Sequence, residues 1–147
     1  MLPAIGSAMR LGALLLISLV LVACGSQSPD ERLNHSLKEL VEGIEARSSD
    51  RVMAVVHPQF EAKGQYDQDW ARRTMGVMFL QNQRIKVLVL QQQTEIDPVY
   101  SGQARTRAQV SITGAERFIP DTARAYSLTL DWLEEDGDWL LHRLSWE

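Results

Sequence analysis

The spacing of hydrophobic residues along this 147-residue chain changes near position 84. Before that point apolar side chains recur every three or four residues, which is the period of one face of an α-helix. After it they alternate with polar side chains, which is the period of a half-buried β-strand. The pattern therefore predicts a domain in which helices come first and strands follow.

Three helices are predicted in the first part of the domain. The first spans about residues 28–47 and begins at Ser28 and Pro29, with Glu31 completing a capping box. Its polar face is mostly acidic, which favours core packing over a basic membrane-surface helix. A short second helix runs from Ser48 to about Val56 and is expected to end before Pro58. The third spans about residues 69–81, capped by Asp67 or Asp69.

Four long strands are predicted in the second part. They start near Ile85, Ala104, Ala123 and Trp139, and the last two are joined by a hairpin with Asp136-Gly137 at its tip. In the second strand Ala104, Thr106, Ala108, Val110 and Ile112 share one face, opposite Arg105 and Arg107. The element order predicts an α+β fold, with three N-terminal helices packed on one face of a curved antiparallel sheet of about four strands.

The only cysteine of the chain, Cys24, directly follows an apolar run that extends from Leu11 to Val22. Twelve residues are too few for a spanning helix, which needs about 20, so the run reads as the apolar part of a signal peptide. The sequence Leu21-Val22-Ala23-Cys24 resembles the lipobox of bacterial lipoproteins, in which the cysteine is acylated after cleavage before it. A buried or reactive free thiol is the alternative interpretation.

The lipobox divides the chain into three parts: signal peptide 1–23, lipidated cysteine with a short tether 24–28, and domain 29–147. The start codon is either Met1 or Met9, and the mature protein is the same in both cases. The expected address is the bacterial cell envelope. In a Gram-negative host Gly25, in place of an aspartate after the cysteine, resembles the signal for the outer membrane, with the domain facing the periplasm. The expected partner is thus a membrane, bound through acyl chains on Cys24.

Charge and composition remove several classes of function. Cleavage before Cys24 removes one charged residue, Arg10, so the formal net charge of −4 becomes −5. An acidic domain without a cluster of basic residues is not expected to bind nucleic acid. After acylation no thiol is left for disulfides, redox chemistry or metal binding. The histidines His35, His57 and His142 are scattered, and no phosphate-binding loop or dinucleotide motif occurs, so we expect no metal and no cofactor.

Three groups of residues are candidates for function. Trp70, Met75, Met78 and Phe79 of the third helix, with Phe60, form either core or the lining of an apolar cavity. Arg105 and Arg107 lie on one strand face, which is either solvated or a docking surface. Glu95 and Asp131 are strand carboxylates that could act as general bases if they faced a cavity. His57, before Pro58, is expected to interact with helix-terminal carbonyls, and His142 to lie on a sheet face.

The element order resembles the NTF2-like (SnoaL-like) fold, and more narrowly its bacterial lipoprotein members. The residues that carry the resemblance are the capped first helix, the segment His57-Pro58-Gln59-Phe60, and the terminal stretch that runs from Trp132 to Trp139. The resemblance implies a cone-shaped domain. Because this fold hosts isomerases, dehydratases, transport factors and binding modules, it does not determine function. No motif matches the catalytic residues of the enzymes, so none are transferred.

These observations predict a non-enzymatic envelope lipoprotein whose domain binds either a protein partner or a small apolar ligand in its cone. The alternative is a small isomerase or hydrolase-like enzyme that uses a carboxylate in the cone cavity. A buried carboxylate facing a cavity would favour the enzyme, whereas a filled cone with an exposed sheet face would favour the partner module.

Overall fold

The computed structural model describes residues 25–114 and 125–147. The predicted signal peptide, Cys24 and the start of the third predicted strand near Ala123 lie outside these ranges. The helices are α1 (Pro29–Glu45), α2 (Ser49–Met53) and α3 (Gln68–Gln81). The strands are β1 (Val56–Ala62), β2 (Tyr66–Asp67), β3 (Lys86–Ile96), β4 (Gln103–Thr113), β5 (Tyr126–Glu135) and β6 (Asp138–Trp146). In the described ranges no helix has the length and apolarity needed to cross a membrane.

The six described strands form one mixed sheet in the order β2-β1-β6-β5-β4-β3. Strands β1 and β6 run parallel, and every other neighbouring pair is antiparallel. The prediction of about four antiparallel strands was therefore wrong. The error lies in β1 and β2, which the sequence pattern assigned to a helix end and a loop. Both strands precede α3, so the prediction that three helices come before the sheet was also wrong.

Strand β1 corrects the predicted end of the second helix. That helix ends at Met53, and the chain is already in β1 from Val56. Pro58, which was expected to stop the helix, lies within the strand. The pairing of β1 with β6 is irregular between Val56 and Glu61. Because this part of the strand has no regular ladder of hydrogen bonds, it accommodates a proline, which has no amide to donate.

The predicted helix starts are confirmed by their caps. Ser28 Oγ accepts a hydrogen bond from the Glu31 amide at 3.2 Å, and Glu31 Oε2 accepts one from the Ser28 amide at 2.9 Å. Asp67 Oδ1 accepts from the Trp70 amide at 2.8 Å, so Asp67 and not Asp69 caps α3. Each cap satisfies an amide that a helix start leaves without an intrahelical partner.

The core lies between α1 and the sheet, as the alternation along β4 and β5 predicts. Ala104, Thr106 and Val110 are buried together with Leu130 and Trp132, whereas Arg105, Arg107 and Gln109 are exposed. Inside the core the Trp132 indole N–H donates to Thr106 Oγ1 at 3.2 Å, and Thr106 Oγ1 lies 3.0 Å from Thr94 Oγ1. The few polar groups at the centre of the core thus satisfy one another.

Candidate functional site: two clefts on opposite faces of the sheet

An apolar cleft, here called the inner cleft, opens between α1 and the sheet. Its volume is about 390 Å³. One wall is the apolar face of α1, formed by Leu37, Leu40, Val41 and Ile44. The other wall comes from the aliphatic side chains of β3, β4 and β5: Val87, Val89, Ala108, Val110, Ile112, Leu128 and Leu130. Asn34, Lys38, Glu42, Gln92 and Thr106 also line it.

The inner cleft contains two charged residues, and they are engaged with each other. Lys38 Nζ lies 3.6 Å from Glu42 Oε1, one helical turn away on α1. Glu42 also accepts a hydrogen bond from Arg51. The hydroxyl of Thr106 is engaged with Trp132 and Thr94. Among the described residues, no carboxylate therefore faces the apolar walls alone, and the geometry suits burial of an apolar molecule better than proton transfer.

The residues predicted to line a cavity lie elsewhere. Phe60 and Phe79 are buried, Trp70 and Met75 pack against the core, and Met78 is half-buried. None of the five lines the inner cleft or the outer cleft described below. The reason is topological: α3 packs on β1 and β2 at one end of the sheet, while α1 lies against β3 and β6. The inner cleft is built from the apolar faces that the sequence pattern assigned to plain core.

A polar cleft, here called the outer cleft, lies on the other face of the sheet and measures about 450 Å³. A row of alternating charges crosses this face, because Glu61, Arg143, Asp131, Arg105 and Glu95 occupy paired positions on five adjacent strands. Opposite charges on directly paired strand positions stabilise a sheet, whereas like charges destabilise it. All of the row except Glu61 lines the outer cleft.

The predicted docking residues Arg105 and Arg107 both line the outer cleft, in different settings. Arg105 forms a bidentate ion pair with Asp131, with Nε–Oδ1 at 2.6 Å and Nη2–Oδ2 at 3.2 Å. The hydrogen bonds to Asp131 raise the pKa of Arg105. Arg107 is paired in register with the neutral residues Gln93 and Thr129. Arg107 is thus the cation on this part of β4 whose strand neighbours carry no charge.

The two carboxylates considered as general bases line the outer cleft, not the inner one. Glu95 is exposed and directly opposite Arg105 in the β3–β4 ladder. Asp131 is half-buried and held by the same arginine. Both carboxylate oxygens of Asp131 accept hydrogen bonds from the guanidinium of Arg105, so neither oxygen is free to accept a proton from a substrate. Neither residue has the isolated apolar setting that would prepare it for proton abstraction.

A pair of histidines near the outer cleft was missed by the sequence reasoning. His57 is not at a helix end, as predicted, but in β1, where it is 5% exposed. Its Nδ1 accepts from the Gln59 amide at 3.0 Å, and its Nε2 lies 2.8 Å from Glu135 Oε1. Because Nδ1 is the acceptor, Nε2 carries the proton and donates to the carboxylate. No local signal connects His57 with Glu135, since the two are far apart in sequence.

His142 of β6 is the second member of the pair. Its ring meets that of His57 edge to face, with the centroids 5.1 Å apart, and it lines the outer cleft. Burial lowers the pKa of His142 below 6.5, and the neighbouring His57 and Arg143 lower it further. In the described ranges no group of three or more histidine, cysteine or carboxylate side chains could hold a metal ion.

The lowered pKa of His142 predicts a loss of stability in mild acid. Below pH 6.5 the unfolded chain binds a proton at this position more readily than the folded domain. The free energy of unfolding should therefore fall as the pH decreases through that value. Thermal denaturation between pH 8 and pH 5 should show that His142→Gln loses less stability on acidification than the wild type does. His35→Gln, at an exposed position on α1, is the matched control, and an equal acid loss in both variants would contradict the prediction.

The fold of this domain is similar to that of several solved structures. No family model matches the chain, and no curated protein matches it. Among solved structures, an NTF2-like protein from Cytophaga hutchinsonii is 12% identical, with a TM-score of 0.67, over 82% of this chain and 98% of that one. A hexachlorocyclohexane dehydrochlorinase from Novosphingobium barchaimii is 13% identical, with a TM-score of 0.60, over 79% of this chain and 83% of that one.

A further similar structure belongs to a longer protein. Bd1075 from Bdellovibrio bacteriovorus is 13% identical, with a TM-score of 0.66, over 78% of this chain. The match spans only 40% of the Bd1075 chain. At these identities the likeness establishes the fold alone, and the similar structures include both an enzyme and proteins named only for their fold. The domain therefore has the NTF2-like α+β fold, with helices packed on a curved mixed sheet of six strands.

Proposed function

We propose that this domain binds a small apolar molecule in the inner cleft, and that it does so at a membrane to which acyl chains on Cys24 attach it. The observation that carries the proposal is the inner cleft itself. Its volume of about 390 Å³ lies within the roughly 300–1,000 Å³ range of small-molecule sites. Its aliphatic walls come from α1 and three strands, so a ligand would be enclosed between two layers of the fold.

The driving force for binding would be the burial of apolar surface. Each Å² of apolar surface removed from water contributes about 25 cal/mol, before the costs of association are subtracted. Gln92 and Asn34 of the lining could accept or donate a hydrogen bond and so orient a ligand that has one polar end. The proposal needs no cofactor and no metal.

The alternative, an isomerase or hydrolase-like enzyme, receives less support. It requires a carboxylate that faces the ligand, and Glu95 and Asp131 line the outer cleft instead. Glu42, the carboxylate of the inner cleft, is held by Lys38 and Arg51. Because both partners contact this carboxylate, it does not face a ligand in the cleft alone.

Filling part of the inner cleft should weaken binding. Ala108 lies on the cleft wall and is half-buried, so Ala108→Phe would occupy part of the space available to a ligand. Titration with the neutral fluorescent probe N-phenyl-1-naphthylamine should give a Kd at least about tenfold higher than in the wild type, which corresponds to about 1.4 kcal/mol. Gln109→Phe is the matched control, because the neighbouring side chain is exposed on the opposite face. Unchanged affinity in Ala108→Phe would place the probe elsewhere.

The membrane attachment is tested at Cys24. One acyl chain binds a membrane only marginally, whereas two or more bind it stably. A fatty-acid label should therefore mark the wild-type protein, which should sediment with membranes, and should miss Cys24→Ser. Ser26→Ala, two residues away, serves as the control. Equal labelling of Cys24→Ser and the wild type would refute the anchor. In a Gram-negative host the proposed address is the outer membrane, with the domain facing the periplasm.

A further inference from the structure

The turn that joins β3 to β4 presents two large apolar side chains to solvent. Val99 is 76% exposed and Tyr100 is 63% exposed. Single exposed apolar residues are ordinary on protein surfaces, so exposure by itself indicates nothing. What distinguishes this pair is its position relative to the point where the chain leaves the domain.

Hydrogen bonds fix the conformation of this turn. Asp97 Oδ1 accepts from the amides of Val99 at 2.8 Å and Tyr100 at 2.9 Å. These bonds lower the pKa of Asp97, so the carboxylate stays ionised and keeps accepting them at neutral pH. The Gln103 amide donates to the Tyr100 carbonyl at 2.8 Å, which closes the turn. The two apolar side chains are therefore held outward by an ordered backbone.

A chain of contacts connects the turn to the first helical turn of α1. The Gly102 carbonyl accepts from the Glu134 amide at 2.9 Å. Glu134 Oε1 lies 2.8 Å from Arg32 Nη1, and Arg32 also donates to the Gly137 carbonyl at the β5–β6 hairpin. Ser28, one turn before Arg32, is the helix cap at which the tether ends and α1 begins. The β3–β4 turn, the β5–β6 hairpin and the tether thus share one end of the domain.

We propose that Val99 and Tyr100 insert into the interface of a lipid bilayer and orient the anchored domain with this end towards the membrane. The inference rests on the proposed anchor at Cys24. Four residues, Gly25 to Ser28, separate the lipidated cysteine from α1 and span at most about 14 Å. A short tether holds the turn at a high local concentration near the lipid, so a weak apolar contact suffices. Tyrosine suits the interface, because its ring is apolar and its hydroxyl remains hydrated.

The charge at this end selects the kind of lipid. Asp30, Glu31, Asp136 and Asp138 lie in the first turn of α1 and around the β5–β6 hairpin. A surface of anionic lipid would repel this group of carboxylates within a Debye length. The partner surface that fits is therefore a zwitterionic bilayer, contacted by apolar insertion and not by charge attraction.

The test uses the full-length lipidated protein in phosphatidylcholine vesicles. Because Cys24 is the only cysteine and is acylated, Ser101→Cys introduces a single site for a nitrobenzoxadiazole label beside the two apolar residues. The control label is placed by Gln83→Cys, which lies before β3 and so beyond the far end of that strand, about 33 Å away. Reduction of the label by aqueous dithionite should be at least about threefold slower at position 101 than at position 83.

The same measurement is repeated with a matched variant and with a second lipid composition. Adding V99S and Y100S to the Ser101→Cys protein should remove the protection. Replacing half of the lipid with phosphatidylglycerol should weaken it. Equal rates at positions 101 and 83 in protein that floats with the vesicles would overturn this inference and leave the anchor intact, as would protection that survives in V99S/Y100S. Protein that fails to float with the vesicles would overturn the anchor, and this inference with it.

Discussion

Gly114→Ala is expected to lower the free energy of unfolding by more than about 3 kcal/mol. Gly114 follows β4 and has φ of +86°, a conformation that a residue with a Cβ rarely adopts. A Cβ added there would lie 1.7 Å from the Arg84 carbonyl oxygen and 2.7 Å from its carbon. Both atoms belong to the backbone just before β3, so relief of the clash would require the two strands to separate.

Urea denaturation followed by circular dichroism would measure this effect, with Gly102→Ala as the matched control. Gly102 also lies in a connection next to β4, but a Cβ there would meet nothing within 4 Å. Its replacement is expected to change stability by less than about 1 kcal/mol. If the two variants unfolded at the same urea concentration, the close approach of Gly114 to Arg84 would not exist in solution. Because β3 and β4 both line the inner cleft, Gly114→Ala should also weaken ligand binding.

Trp139→Ala is the second change with a large expected effect, about 3–5 kcal/mol of lost stability. Trp139 is fully buried at the start of β6, and its indole N–H donates to the Pro29 carbonyl at 3.1 Å. The substitution removes a large apolar side chain from the core and leaves a cavity that the neighbours fill only partly. It also removes the contact between β6 and the start of α1.

Two further variants separate the contribution of the hydrogen bond from that of the buried surface. Trp139→Phe retains most of the buried surface and loses the hydrogen bond, which should cost about 1 kcal/mol plus a smaller packing loss. Trp146→Ala, at the other end of β6, removes a half-buried ring that stacks on Trp70 and carries Lys63 over its face. It should cost clearly less than Trp139→Ala, because less surface returns to water. Equal destabilisation by both alanine variants would contradict the assignment of Trp139 to the core.

The placement of the two clefts also decides how variants of surface charge should be interpreted. Reversal of Arg105 breaks a bidentate pair and leaves Asp131 without its partner, so it perturbs the sheet as well as any docking surface. Arg107, whose strand neighbours are neutral, is the better position at which to examine a protein partner on the outer face. The prediction that a protein docks at Arg105 and Arg107 stays a prediction.

Local sequence determined the elements whose stabilising contacts are themselves local. The cap of α1 could be predicted because Ser28 and Glu31 lie within one helical turn of each other. The inner face of β4 could be predicted because alternation with a period of two needs no knowledge of the partner strand. The same alternation placed Arg105 and Arg107 together on the exposed face. The NTF2-like architecture followed from the order of such elements.

Only the tertiary structure decided what depends on pairing between distant segments. Strand β1 exists because it pairs with the parallel strand β6, which comes much later in the sequence. The local signal of Pro58 pointed to a helix end instead. The hydrogen bond between His57 and Glu135 has the same origin. The inner cleft depends on how far α1 stands from the sheet. A residue's periodicity predicts which way its side chain faces, but packing between the layers decides whether that side chain meets a neighbour or a cavity.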